Sequence, residues 1–242
     1  MALVEFRDVS YAIGGRTILS HLSFGVEAGE TLVLLGRSGS GKTTALKMTN
    51  GMLFPTSGQV LVEGRATTEW DAIRLKRRIG YVIQEVGLFP HFTVAENVGL
   101  VPSLEGWARV DVDRRVGEML AKTGLASGEF GERYPRQLSG GQRQRVGVAR
   151  ALAADPSLLL FDEPFGALDP VTRRELQQQF LELRRDFHKT SIFVTHDVRE
   201  ALRLGSRIAL LAGGRLETIG EPAEFRRAQS GEARAFLAGL ED

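Results

Sequence analysis

The 242-residue sequence contains no cysteine. Disulfides, thiolate metal sites and cysteine nucleophiles are thereby excluded, which fits a reducing compartment. It also lacks a charge of one sign: 31 Lys and Arg against 30 Asp and Glu leave a net charge of +1. Such a balance projects no broad field toward nucleic acid, so a DNA-coating role has no electrostatic support. No apolar run approaches about 18–20 residues, so no segment is expected to span a bilayer as a helix. A membrane, if one matters, would be reached through a partner. The start, Met1 to Asp8, lacks the basic segment and long apolar centre of a secretion leader. Internal repeats, low-complexity tracts and linkers are missing too. What remains is 43% hydrophobic and 25% charged, an ordinary globular composition able to bury a sizeable core.

One stretch organises the rest. Gly36-Arg37-Ser38-Gly39-Ser40-Gly41-Lys42-Thr43-Thr44 follows an apolar run, Thr31 to Leu35, and precedes a helix-like run from Thr44 to Asn50. Strand, glycine-rich loop and helix form the setting of a phosphate-binding P-loop. Glycines let the backbone curl so that successive N–H groups point inward, and the helix offers its positive end to the same anion. Lys42 is then expected to reach the β- and γ-phosphates of a nucleoside triphosphate such as ATP, and the Thr43 hydroxyl to ligate Mg²⁺. The alternative is a glycine-rich turn that caps a helix. The bare pattern arises by chance in roughly one chain of this length in a hundred, so the flanking strand and helix carry the assignment.

Four short apolar runs, 31–35, 79–83, 158–162 and 191–195, read as buried parallel strands. Their alternation with helical segments implies an α/β core. Residues 3–27, with a turn at Gly14-Gly15, and 58–64 suggest a small antiparallel sheet beside it. A run from Arg207 to Leu211 opens a meander that ends near Gly220. Residues from about 86 to 155 read as a helical insert, with Val112, Val116, Met119 and Leu120 on one face. Thr172 to His188 predicts a further amphipathic helix with a core-facing stripe of Leu176, Phe180, Leu183 and Phe187. Residues 221–242 read as a helical tail to which the sequence assigns no chemistry. The expectation is a single domain over 1–242.

Two more motifs add chemistry. The strand Leu158 to Phe161 delivers Asp162 to the end of the sheet, where α/β proteins bind ligands and where a carboxylate can hold Mg²⁺. Glu163 follows, placed to polarise an attacking water as general base. A solvated acidic turn is the alternative. Leu138-Ser139-Gly140-Gly141-Gln142 forms a second anion nest at a helix start, predicted to run from Gln142 to about Ala153. A five-residue match of this kind arises by chance in on the order of one chain in several thousand. A plain serine-glycine cap accounts for its shape but not for two phosphate nests in one chain.

At this point the chain resembles the nucleotide-binding subunits of ABC transporters, and the resemblance covers essentially its whole length. Gly36 to Thr43 resembles the Walker A loop, Leu158 to Glu163 the Walker B strand with its catalytic glutamate, and Leu138 to Gln142 is identical to the family signature. Gln84 falls at the family's Q-loop, Ala167-Leu168-Asp169 at its D-loop, and Thr195-His196-Asp197 at its switch histidine. Tyr11 sits where the family stacks an aromatic ring on adenine. Taken singly, Gln84 reads as a polar loop residue, His196 as a strand-end histidine and Tyr11 as strand packing. Arg37 departs from the proline common in relatives and bears on loop stiffness.

The resemblance implies a P-loop ABC ATPase core with a small antiparallel β subdomain and an inserted α-helical subdomain. Glu163, His196 and Gln84 would be catalytic; Thr43, Gln84 and Asp162 would hold Mg²⁺. Two copies, or a copy and a paralogue, would pair head to tail, with Ser139, Gly140, Gly141 and Gln142 of one closing on the γ-phosphate held by Lys42 of the other. Leu88, Phe89 and Phe92, with Pro90 between them, would line the groove that receives a membrane permease at the inner face of the cell membrane. The wording of residues 79–98, with Leu46 to Asn50 and Val101 to Trp107, is most similar to importers of glycine betaine, carnitine, choline and proline, which also use a solute-binding protein. The sequence ends at Asp242, so regulation through the added domain some of those relatives carry is not expected. The alternatives are an importer or exporter ATPase for another solute, a non-transport ABC ATPase acting on ribosomes or DNA, and a regulatory subunit with little turnover. Intact Glu163 and His196 argue against the last.

Overall fold

The computed structural model describes residues 2–84 and 86–240. Met1, Glu85, Glu241 and Asp242 lie outside the described residues, and with them one residue of the 79–98 stretch and both ends of the expected 1–242 domain. In chain order the first elements are β1 (Ala2–Ile13), β2 (Arg16–Glu27), β3 (Thr31–Leu35), α1 (Lys42–Thr49), β4 (Ser57–Val62), β5 (Arg65–Ala66) and α2 (Ala72–Arg77). There follow β6 (Ile79–Ile83), α3 (Val94–Leu104), α4 (Arg109–Lys122), α5 (Ser127–Phe130), α6 (Gly140–Ala153), β7 (Leu158–Asp162) and α7 (Pro170–Phe187). The last are β8 (Thr190–Thr195), α8 (Val198–Leu204), β9 (Arg207–Ala212), β10 (Arg215–Gly220), α9 (Pro222–Phe225) and α10 (Gly231–Ala238). These elements fall into two compact units, Met1–Lys76 with Lys189–Asp242, and Arg77–His188.

The first unit holds an antiparallel sheet in the order β2-β1-β4-β5. Its strands alternate because one face is covered: Val4, Phe6 and Val9 are buried while Arg7 and Asp8 are exposed. Phe6 stacks on Phe24 with ring centroids 4.4 Å apart, a cross-strand pair of the kind that fixes register. A second set of strands runs β10-β9-β3-β8. Here β3 is parallel to both β8 and β9. All five residues of β3 and all six of β8 are buried, as parallel strands covered on both faces should be. Glu30, 9% exposed, enters this core with its partner: its carboxylate accepts from Arg207 at 3.1 Å and from the Glu27 N–H at 2.7 Å.

The second unit pairs β6 with β7 in parallel, from Ile79 opposite Leu158 to Ile83 opposite Asp162. Helices supply most of the rest. The α4 stripe Val112, Val116, Met119 and Leu120 is buried. On α7, Leu176, Phe180 and Leu183 are buried, and Phe180 meets Phe161 edge-on at 5.0 Å. Phe187 departs from the expected stripe. It is half-buried, with the Lys122 ammonium 5.8 Å from its ring. Boundaries shift where capping decides them. Helix α7 starts at Pro170 because Asp169 accepts from Val171 N and Thr172 N, and α6 starts at Gly140 because Ser139 caps it. The tail over 221–240 is two short helices rather than one, and the short β5, α2 and α5 have too few residues for a periodic signal. Among the described residues no helix is long and apolar enough to cross a membrane.

Candidate nucleotide site

In the first unit β3 runs straight into the loop of residues 36–41. Gly41 is the N-cap of α1 at φ 100, with no side-chain hydrogen bond capping the helix. A Cβ there would lie 2.5 Å from Leu19 Cδ2, so both conformation and space demand glycine. The consequence is a helix start whose first N–H groups are not taken by a capping side chain. Lys42, 4% exposed, donates through Nζ to the carbonyls of Gly36 at 2.8 Å and Arg37 at 2.9 Å. It therefore bridges the loop from within. Ser40 Oγ is buried and has no hydrogen-bond partner, an uncommon debt that a ligand oxygen would settle. Ser38 and Gly39 are exposed, and Thr43 and Thr44 half-buried. Arg37 points outward, and its Nε donates to Glu232 Oε1 at 2.6 Å.

Two further residues lie close by in the same unit. Leu35 pairs with Thr195 in parallel register, so Gly36 and His196 emerge side by side from adjacent strand ends. The turn around His196 is pinned on both flanks. Thr195 Oγ1 donates to Glu200 at 2.6 Å and accepts from Asp197 N at 3.0 Å, and Asp197 caps α8 through Arg199 N at 2.7 Å. Tyr11, half-buried, pairs across the hairpin with Leu19, the residue lying over Gly41.

The second unit repeats the device. Ile83 pairs with Asp162, so Gln84 and Glu163 leave neighbouring parallel strands at the same end. Gln84 Nε2 lies 3.1 Å from where a Cβ of Gly166 would be, which sets the amide beside the turn that Gly166 N closes onto the Glu163 carbonyl at 3.2 Å. Glu163 is half-buried at φ 46, a left-handed conformation that costs a non-glycine residue about 1–2 kcal/mol. The Tyr81 hydroxyl donates to Asp162 Oδ2 at 3.3 Å. Burial first, and the Asp162 carboxylate second, push that phenol far above its usual range. Tyr81 thus stays a donor that orients Asp162.

Ser139 to Gln142 open α6, with Ser139 and Gly140 exposed. Ser139 Oγ accepts from Gln142 N at 3.2 Å, and Gln142 Oε1 accepts from Ser139 N at 2.9 Å. This reciprocal capping box satisfies the Ser139 and Gln142 N–H groups from within the chain. The other end of α6 reaches the loop after Gln84. Arg150 donates to the Val86 carbonyl at 2.7 Å and the Gly87 carbonyl at 2.8 Å. Burial lowers the pKa of its guanidinium, and the two carbonyls return part of that cost. Val86, β-branched yet at φ 50, sits over Gly147, where a Cβ would come within 2.5 Å of its methyl. Asn97, fully buried, accepts from Phe89 N at 2.8 Å and donates to the carbonyls of Phe89, Phe92 and Thr93 at 3.1, 3.2 and 2.9 Å. Held this way, Phe89 stays 47% exposed with its ring 5.3 Å from that of Phe92, while Leu88 is half-buried. Phe92 continues into an open groove of about 630 Å³ lined by Leu100, Trp107, Val112 and Val116.

Asn97, Arg150, Tyr81 and Glu232 were not singled out by motif. Two of them carry a signal: Arg150 is a lone charge in the apolar run Val146 to Leu152, and Asn97 a poor helix former just inside a Thr93/Glu96 capping box.

The family model for ABC transporters matches residues 19–166. The chain is 48% identical over 207 residues to the osmoprotectant import ATP-binding protein OsmV of Salmonella typhimurium, covering 86% of this chain and 54% of that protein. It is 45% identical over 228 residues to the glycine betaine/carnitine/choline transport ATP-binding protein OpuCA of Bacillus subtilis, covering 94% and 60% respectively. It thus spans little more than half the length of these relatives. Among solved structures it superimposes with a TM-score of 0.80 and 33% identity on the dimeric post-hydrolysis state of the ATP-binding cassette MJ0796 bound to ADP and Pi, covering 90% of this chain and 98% of that one. A glycine-forced P-loop, paired strand ends carrying Gln84 and Glu163, and these likenesses lead to one conclusion: the chain belongs to the ABC transporter family, as an ATP-binding domain with its mixed α/β fold.

Proposed function

We propose that this domain is the ATP-hydrolysing motor of an ABC importer for a small osmoprotectant of the quaternary amine class, such as glycine betaine, choline, carnitine or proline. The observation that carries the reading is the contrast between an enclosed, uncapped helix start at Lys42 and an exposed, self-capped one at Ser139. The names of its relatives support the solute class.

In this reading ATP enters the loop of Gly36 to Thr44, and Lys42 exchanges loop carbonyls for phosphate oxygens, a stronger charge-assisted pairing. Ser40 Oγ and the N–H groups at the start of α1, which no side chain caps, donate to the same anion, and Tyr11 stacks on the adenine. Thr43, Gln84 and Asp162 would hold Mg²⁺. Among the described residues no group of three or more His, Cys, Asp or Glu could hold a metal, and so small a set of oxygen donors suits an ion that keeps phosphate and water ligands. When bound, that ion neutralises charge on the β- and γ-phosphate oxygens. A second copy then brings Ser139, Gly140, Gly141 and Gln142 onto the γ-phosphate. Glu163 takes a proton from water as its oxygen attacks the γ-phosphorus; the bond to the β–γ bridging oxygen breaks and ADP leaves. His196 steadies the γ-phosphate. The exposed Phe89, with Leu88 and Phe92, receives a permease subunit that anchors the motor at the cytoplasmic face of the membrane. A solute-binding protein acts through that permease, and nucleic acid has no part.

The test is co-expression with a candidate quaternary-amine permease and its binding protein. Co-purification, and ATP hydrolysis that rises when solute and binding protein are added, support the reading. A motor that hydrolyses ATP without associating with any such permease overturns it.

A further inference from the structure

Helix α10 is anchored at both ends to segments that carry nucleotide-site residues. At its start the Glu232 carboxylate accepts from Arg37 Nε at 2.6 Å, with the glutamate side chain 25% exposed and the arginine 68%. At its end the Gly239 carbonyl accepts from Arg199 at 3.1 Å, and Arg199 lies in the first turn of α8, just after His196. Both charges suit the helix dipole, an acid in the first turn and a cation at the last carbonyls. Ser230 Oγ caps the helix through Ala233 N at 3.2 Å, and Ala233 is fully buried. Glu232 is therefore a fixed point, and Arg37 is the loop residue tied to it.

The Arg37 carbonyl is also one of the two that accept from Lys42 Nζ, at 2.9 Å. Arg37 is thus held from outside by its side chain while its backbone holds the phosphate-binding ammonium from inside. We propose that Glu232 is a positioning residue for ATP: through Arg37 it holds the P-loop in its receptive curl. The inference rests on the reading of Gly36 to Thr44 as the ATP site.

The test is equilibrium binding of a fluorescent ATP analogue to the full chain, with steady-state hydrolysis alongside. Glu232→Arg should weaken binding about threefold, within the range of a partly exposed ion pair, and raise KM by the same factor with kcat at saturation unchanged. The reversed pair, Arg37→Glu with Glu232→Arg, should restore affinity. The effect should shrink in high salt, since screening weakens exposed pairs. Should Glu232→Arg fail to fold, judged by its thermal melt, Glu232→Gln reads the same loss without repulsion. Unchanged affinity in both variants, or a reversed pair weaker than either single change, overturns the proposal. Lys42→Ala separates the two layers. If it abolishes binding while Glu232 variants do nothing, only the positioning role fails; if it leaves affinity intact, the ATP-site reading fails and takes the positioning role with it.

Discussion

The two helix starts proposed to meet phosphate are built in opposite ways. Helix α1 begins at a glycine with no capping side chain, behind a loop in which Gly36, Ser40, Gly41 and Lys42 are buried. Helix α6 begins at a serine whose side chain caps it, with Ser139 and Gly140 exposed. An uncapped start leaves its N–H groups to a ligand, whereas a self-capped one is stable alone and can wait for a ligand brought from elsewhere. In the proposed reading the first is a receptacle and the second a lid face. This difference, more than the presence of glycines in both, argues that one domain supplies two unlike halves of a composite site.

The comparison can be broken by variants, taken from the largest effect to the smallest. Glu163→Gln removes the proposed base and should slow hydrolysis by about 10²–10⁴-fold while ATP still binds and holds two copies together. Stopped-flow phosphate release and sedimentation measure the two halves of that statement, and wild-type turnover would remove Glu163 from the role. Ser139→Asp attacks the lid face alone. Aspartate caps a helix as well as serine, so the melting temperature should hold, but a carboxylate facing a triphosphate at about 4 Å and an effective dielectric of 20 costs about 4 kcal/mol. Turnover should drop about 10³-fold with ATP affinity of the single chain intact. Lys42→Ala attacks the receptacle alone and should weaken ATP binding by about 10–100-fold, the loss of a charged hydrogen bond of about 1.5–3 kcal/mol; calorimetry reads it directly. Asn97→Ala touches neither. It removes the side-chain partner of the Phe92 carbonyl and the Phe89 N–H, while the Phe89 and Thr93 carbonyls keep the backbone N–H groups of Phe92 and Asn97, so we expect a loss of about 2 kcal/mol in unfolding free energy and loss of permease-stimulated turnover, with basal hydrolysis kept. Denaturant melts and ATPase assays with permease check each.

Much of this fold is legible in the sequence. The strands 31–35, 79–83 and 158–162 match the sequence reading residue for residue, because short, mostly apolar runs bounded by polar residues or glycine leave little freedom. Within the first unit Gly36 and His196 stand at neighbouring strand ends, and within the second Gln84 and Glu163 do, since parallel strands end on the same side. What the sequence hid is side-chain work done on the backbone. Arg150 and Asn97 are partners of carbonyls, and a carbonyl has no letter in the sequence. The ion pair between Arg37 and Glu232 spans 195 positions, beyond the reach of any local pattern. The capping box at Ser139 was readable from Ser139 and Gln142 alone, yet its meaning emerged only beside the uncapped start of α1.

The most direct test uses the lack of cysteine. One copy carries Ser38→Cys and another Ser139→Cys, both with Glu163→Gln, and a short bis-maleimide is added with and without ATP. A covalent dimer is expected only when both cysteines and ATP are present, because in the proposed reading the receptacle of one copy meets the lid face of the other. Dimers that form with ATP yet never cross-link, or cross-linking within a single chain that carries both cysteines, would contradict it.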